Sequence, residues 1–92
     1  MRRALISALI LVVFFGCSPE ESIQGDHLFR TGDYQEAITA YTKVLESKPF
    51  NIKAIYNRGR SYEELSQFDQ ALQDFERVVE LDPKHVQGYL SI

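Results

Sequence analysis

Residues 51–83, NIKAIYNRGRSYEELSQFDQALQDFERVVELDP, decide the fold. Ile55, Gly59, Tyr62 and Leu65 recur at helical spacing, and Phe68, Leu72, Phe75 and Val79 do so again after a short break. Each set is the stripe of an amphipathic helix. Pro83 follows the second stripe and discourages its continuation. The stretch therefore reads as two helices joined as a hairpin.

Displacing the chain by 34 residues lays this hairpin on the segment before it. Gly25 meets Gly59, Tyr34 meets Phe68, Ala37 meets Ala71, Ile38 meets Leu72, Tyr41 meets Phe75, Val44 meets Val78, Glu46 meets Glu80 and Pro49 meets Pro83. A fixed period of this length is the mark of a repeat array. Helices are expected near 19–31, 34–47, 52–65 and 68–81, so the fold class is all-α. Ser18-Pro19-Glu20-Glu21 reads as a capping box with Pro at the first helical position. Asp33-Tyr34-Gln35-Glu36 repeats that logic after Gly32, which suits a left-handed helix end. Gly59 and Ala71 let the two helices of a hairpin approach, while Tyr62, Phe68 and Phe75 fill the space around the contact.

These residues resemble the tetratricopeptide repeat family, whose 34-residue unit is built round a Gly, an Ala, several aromatics, a small residue and a closing Pro. The second unit supplies Gly59, Tyr62, Phe68, Ala71, Phe75, Val78 and Pro83; the first supplies Gly25, Tyr34, Ala37, Tyr41, Val44 and Pro49, with Leu28 at the first aromatic position. Departures are Ile55 where the family often has Trp, Arg58 and Gln24 where it often has Leu, and Glu21 in place of an aromatic. The resemblance implies antiparallel helical hairpins of a solenoid: repeat one over 18–51, repeat two over 52–85, and 86–92 as a partial third repeat or capping segment. Three accounts of that last segment stay open: a short helix that suffices as a cap, association of two chains through their ends, or truncation of a longer repeat protein. Truncation or association is favoured, because an array commonly needs three units.

The same resemblance implies that a partner protein or peptide lies in the groove lined by the first helix of each unit. By position this groove would hold Ser22, Ile23, Asp26, Phe29 and Arg30 from the first unit, and Lys53, Tyr56, Asn57, Arg60, Glu63 and Glu64 from the second. Tyr56 is the expected aromatic anchor. The alternative is a merely solvated helix face, since mixed charges are common there. Family members that clamp a C-terminal carboxylate combine an Asn matching Asn57 with Lys, Asn and Arg on neighbouring units. Ser22, Asp26, Gln87 and Ser91 occupy those neighbouring positions, which argues against such a clamp.

The first sixteen residues stand apart, holding 12 of the chain's 41 apolar residues. Met1-Arg2-Arg3 precedes an apolar run from Ala4 to Phe15, short of the roughly 20 residues a membrane-crossing helix needs. The pattern reads as an export signal over 1–16. Val13-Phe14-Phe15-Gly16-Cys17 resembles a bacterial lipobox, with Phe14 where that family usually has Leu. The resemblance implies cleavage before Cys17, a covalent lipid on its sulfur, and attachment to the bacterial cell envelope. With Ser18 next, it implies the periplasmic face of the outer membrane in a Gram-negative host. An uncleaved anchor and an ordinary secretory signal with a free thiol are the alternatives.

Beyond residue 16 the chain has 8 basic and 13 acidic residues, no surplus with which to neutralise phosphates, so nucleic acid is an unfavoured partner. His27 and His85 have no Cys or His at metal spacing, and no HExxH, GxSxG or phosphate-cradling glycine loop occurs. No catalytic residue, metal or cofactor is expected beyond the lipid on Cys17. The favoured function is a membrane-anchored protein-interaction adaptor, with possible self-association. A truncated fragment or accessory domain of a longer repeat protein or enzyme is the alternative, and a structural remnant without a partner the third.

Overall fold

The computed structural model describes residues 19–84, and side chains from residue 21 onward. Four helices follow one another: α1 (Pro19–Thr31), α2 (Tyr34–Ser47), α3 (Ile52–Glu64) and α4 (Phe68–Leu81). Among the described residues there is no strand. α1 packs on α2 and α3 on α4 as two hairpins, α2 packs on α3 across the junction, and α1 touches α3. This is the expected all-α hairpin array. The observed bounds differ from the expected ones only at Leu65, which caps α3 from outside it.

Small residues set the spacing within each hairpin. A Cβ added to Gly25 would lie 2.8 Å from Cε1 of Tyr41, and one added to Gly59 would lie 2.7 Å from Cε1 of Phe75. The repeat thus recurs as a contact: a glycine on the first helix under an aromatic ring of the second. Ala37, Tyr41, Val44 and Ala54 form a buried cluster, flanked by Leu28, Phe29 and Leu45, that joins the two hairpins.

The helix ends correct part of the sequence expectation. Asp33 precedes α2 but makes no side-chain cap; its Oδ2 accepts instead from Oγ1 of Thr31 at 2.8 Å. Asn51, not singled out beforehand, does cap α3, its Oδ1 accepting from the Ala54 amide at 3.0 Å. The expected cap at Ser18 lies outside the described residues, as do residues 1–17 and 85–92.

Both α1 and α3 close through a left-handed residue. Gly32 has φ +87° and Ser66, its counterpart one period on, has φ 61°. The amides of Asp33 and Gln67 then reach back to the carbonyls of Leu28 and Tyr62, respectively. A Cβ in this region is strained. Ser66→Gly is therefore expected to raise stability by roughly 0.5–1 kcal/mol, read as a higher urea midpoint at unchanged slope.

Two expected core positions lie elsewhere. Phe68 is 62% exposed and Leu72 40% exposed, so Phe68 does not fill the α3–α4 contact. Ala71, Asp74, Phe75 and Val78 form the buried face of α4 instead. Asp74, 5% exposed, accepts from Nε and Nη2 of Arg58 at 2.9 and 2.8 Å. Arg58 also donates from Nη1 to Oγ1 of Thr42 at 3.2 Å, so one guanidinium ties α3 to both α4 and α2. The hydrogen bonds to Asp74 hold Arg58 charged more firmly than an ordinary guanidinium, against the opposing effect of burial.

Candidate peptide-binding groove

α1 and α3 lie side by side, and a recess of about 190 Å³ opens between them. It is lined by Asp26, Phe29 and Arg30 from α1, Lys53 and Asn57 from α3, and Tyr41 from α2. The helices present these residues together because Phe29 and Arg30 lie three and four residues after Asp26, and Asn57 four after Lys53, so that each set shares a face.

Asp26 is the polar centre of the recess. Its Oδ1 accepts from the Tyr41 hydroxyl at 2.5 Å and from Nδ2 of Asn57 at 3.4 Å. One carboxylate thereby joins α1, α2 and α3. Arg30 and Lys53 have no ion-pair partner among the described residues, whereas Arg58, Arg60 and Arg77 each pair with an acid. Arg60 lies over the Phe29 ring at 5.5 Å, placing a third cation beside the recess. The site can thus offer hydrogen-bond donors, one carboxylate acceptor and an aromatic edge to an incoming chain segment.

Burial, and next the Asp26 carboxylate, push the Tyr41 phenol well above its ordinary value. A raised folded-state value means that, as pH climbs past about 10, the unfolded chain releases this proton while the folded chain keeps it. Stability is expected to be intact below that pH and to fall above it. Tyr41→Phe is expected to lower the melting temperature at pH 7, by loss of a hydrogen bond worth about 1–2 kcal/mol, and to make the alkaline fall shallower. Thermal melts by circular dichroism between pH 7 and 11 check both.

Of the eleven residues expected in the groove, Asp26, Phe29, Arg30, Lys53 and Asn57 line the recess. Ser22 is half-buried, Ile23 is exposed, and neither lines it. Tyr56 is half-buried with its ring against Phe75 at 5.7 Å, so its packing is at least partly internal. Glu63 pairs with Arg60 at 3.6 Å and Glu64 is exposed. Tyr41 was missed as a site residue. Its signal in the sequence is that it matches Phe75 in the other repeat: a hydroxyl added at a buried aromatic position needs a partner. Cys17 lies outside the described residues. Among the described residues no group of three or more His, Cys, Asp and Glu is placed to hold a metal ion. Nor is any described helix long and apolar enough to cross a membrane.

With this geometry in view, similarity to known proteins is informative. Over 70 residues the chain is 33% identical to Hsp70-Hsp90 organizing protein 3 of Arabidopsis thaliana, covering 76% of this chain and 12% of that protein. It is 39% identical over 70 residues to sperm-associated antigen 1 of Mus musculus, covering 76% and 8%. A small glutamine-rich tetratricopeptide repeat-containing protein of Saccharomyces cerevisiae is 33% identical over 67 residues, covering 73% and 19%. The chain thus spans a small part of these relatives' length. Among solved structures, the TPR2B domain of yeast Sti1, in a complex with pHsp70, matches with TM-score 0.72 and 28% identity over 76% of this chain and 56% of that one. The pattern of the tetratricopeptide repeat matches residues 52–85, and a second TPR repeat pattern matches 25–66. From residue 25 to residue 85, then, the chain belongs to the tetratricopeptide repeat family, whose hairpins form a protein-interaction module.

Proposed function

We propose that this protein is a lipid-anchored adaptor of the bacterial cell envelope that holds a segment of another protein in the α1–α3 groove. The observation that supports it best is the recess itself, where five residues from two helices, two of them cations without an ion-pair partner among the described residues, meet round one buried-hydroxyl-held carboxylate. The TPR2B domain of yeast Sti1 is solved in a complex with pHsp70, which agrees with a groove that receives another protein. Recognition here differs from a C-terminal carboxylate clamp. Asp26 stands where such a clamp would place an amide, and its negative charge opposes a second carboxylate at that point. The envelope attachment rests on the lipobox-like Val13–Cys17 segment.

Two measurements test this reading. Metabolic labelling with palmitate is expected to mark the wild type and to be lost in Cys17→Ser together with membrane attachment; a labelled or membrane-bound Cys17→Ser variant refutes the anchor. Affinity purification from envelope extracts is expected to recover a partner with the wild type and with Lys43→Ala, a cation outside the recess, but not with Arg30→Glu/Lys53→Glu. Equal recovery by all three refutes the groove.

A further inference from the structure

The two hairpins differ most at the face each turns toward a following unit. Ile38 is 5% exposed, while Leu72, its counterpart one period on, is 40% exposed and Phe68 is 62% exposed. The physical difference is α3. α2 has α3 packed against it, whereas the close packing of α4 among the described residues is on α3 alone. Phe68, Leu72 and half-buried Val79 therefore form an apolar stripe with exposed Asp69, Glu76 and Glu80 on the adjoining stripe of the same helix.

The internal junction shows what kind of surface covers such a stripe. α3 places Ala54 and Ile55 in the buried region, and three residues after Ile55 it places Arg58 against Thr42. One period on, Glu76 stands at the position of Thr42. A helix docked on α4 as α3 docks on α2 would bring its cation to that carboxylate.

We infer that the Phe68–Leu72 face is a second docking surface, and that its occupant is a partner helix carrying two adjacent apolar residues and an Arg or Lys three positions later. The charge pattern argues against a second copy of this chain. The leading helix of a second copy offers Glu20, Glu21 and Gln24 where α3 offers Ala54, Ile55 and Arg58. Two C-terminal faces meeting each other would set Asp69 and Glu76 against their own copies, a like-charge arrangement. Residues 86–92, in the same register, bring Ile92 and no cation to the Arg58 position.

The test uses the full chain in detergent and, as probe, a fluorescein-labelled peptide with the sequence of residues 52–64, the helix whose docking supplies the template. Saturable binding by fluorescence anisotropy is expected. Leu72→Ser is expected to abolish it, and Glu76→Arg to weaken it by about fivefold, the value of one exposed ion pair. A peptide carrying Arg58→Glu should regain affinity for Glu76→Arg and lose it for the wild type. Both protein variants alter exposed side chains, and unchanged circular-dichroism melts confirm that they fold. The inference is overturned if the peptide does not bind, or if Leu72→Ser binds it as the wild type does. It is overturned too if binding appears only after deletion of 86–92, which assigns the face to the chain's own segment. A dimer in sedimentation that Leu72→Ser dissociates assigns it to a second copy and likewise refutes the partner helix.

Discussion

Asp74→Ala is expected to destabilise the fold by about 3 kcal/mol, near the lower end of what breaking a buried ion pair costs. The Asp74 carboxylate is the bidentate acceptor of Arg58, and removing it leaves a guanidinium with the Thr42 hydroxyl and the Tyr62 ring but no counter-charge among the described residues. The lower end applies because the Arg58 side chain is 22% exposed and water can reach it. Removing both charges should behave differently. The first repeat already has Ala40 where the second has Asp74, and that position is buried in both. Arg58→Leu/Asp74→Ala is therefore expected to recover most of the loss, since an apolar replacement avoids desolvating two charges. Urea denaturation of the wild type, both single variants and the double variant gives the coupling directly. A double variant no more stable than Asp74→Ala would show that the pair contributes more than its desolvation takes away.

Gly59→Ala is the second large effect, and here two contributions oppose each other. In a helix interior Ala is favoured over Gly by about 1 kcal/mol. Against that, the new Cβ would sit 2.7 Å from Cε1 of Phe75 and 3.1 Å from Cβ of Asp74. Neither neighbour is the loose end of a flexible chain: Phe75 is buried, and Asp74 is held by Arg58. The hairpin must open, and overpacking of this kind costs about 1–3 kcal/mol. A net loss of roughly 1 kcal/mol, and at most about 2, is expected, large against the stability a domain this small can have. Combining Gly59→Ala with Phe75→Leu should restore part of it by vacating the ring edge. A fall in urea midpoint in the single variant, and its partial return in the double, is the measurement.

The helices were legible because the 34-residue recurrence and the placing of Pro49 and Pro83 mark the same divisions twice. The close approach of the two helices at Gly59 was legible too, with Phe75 beside it, but that one ring lies directly over each glycine, Tyr41 over Gly25 and Phe75 over Gly59, was not. What stayed hidden depends on geometry across helices. Arg58 stood out as a departure from the usual Leu, but nothing local chooses Asp74 over Asp69 or Glu76, since the partner lies 16 residues away on another helix. The stripe through Phe68 and Leu72 has correct helical spacing and still faces outward, because the period of a helix says which residues share a side and not what lies against it. Asp33 had the right type for a cap, yet Thr31, two residues earlier, satisfies its carboxylate instead. Five of the residues that the repeat register assigns to the groove line the recess, while the Tyr41 hydroxyl that holds Asp26 belongs to the other helix of the hairpin.

The two repeats differ at matching positions: Glu20, Glu21 and Gln24 stand in the first where the second has Ala54, Ile55 and Arg58. A head-to-tail contact propagates only when the surface consumed at one end is regenerated at the other. Two acids and an amide do not regenerate the two apolar residues and the cation that α3 turns toward α2, so copies of this repeat pair cannot extend into a fibre by repeating the α2–α3 contact.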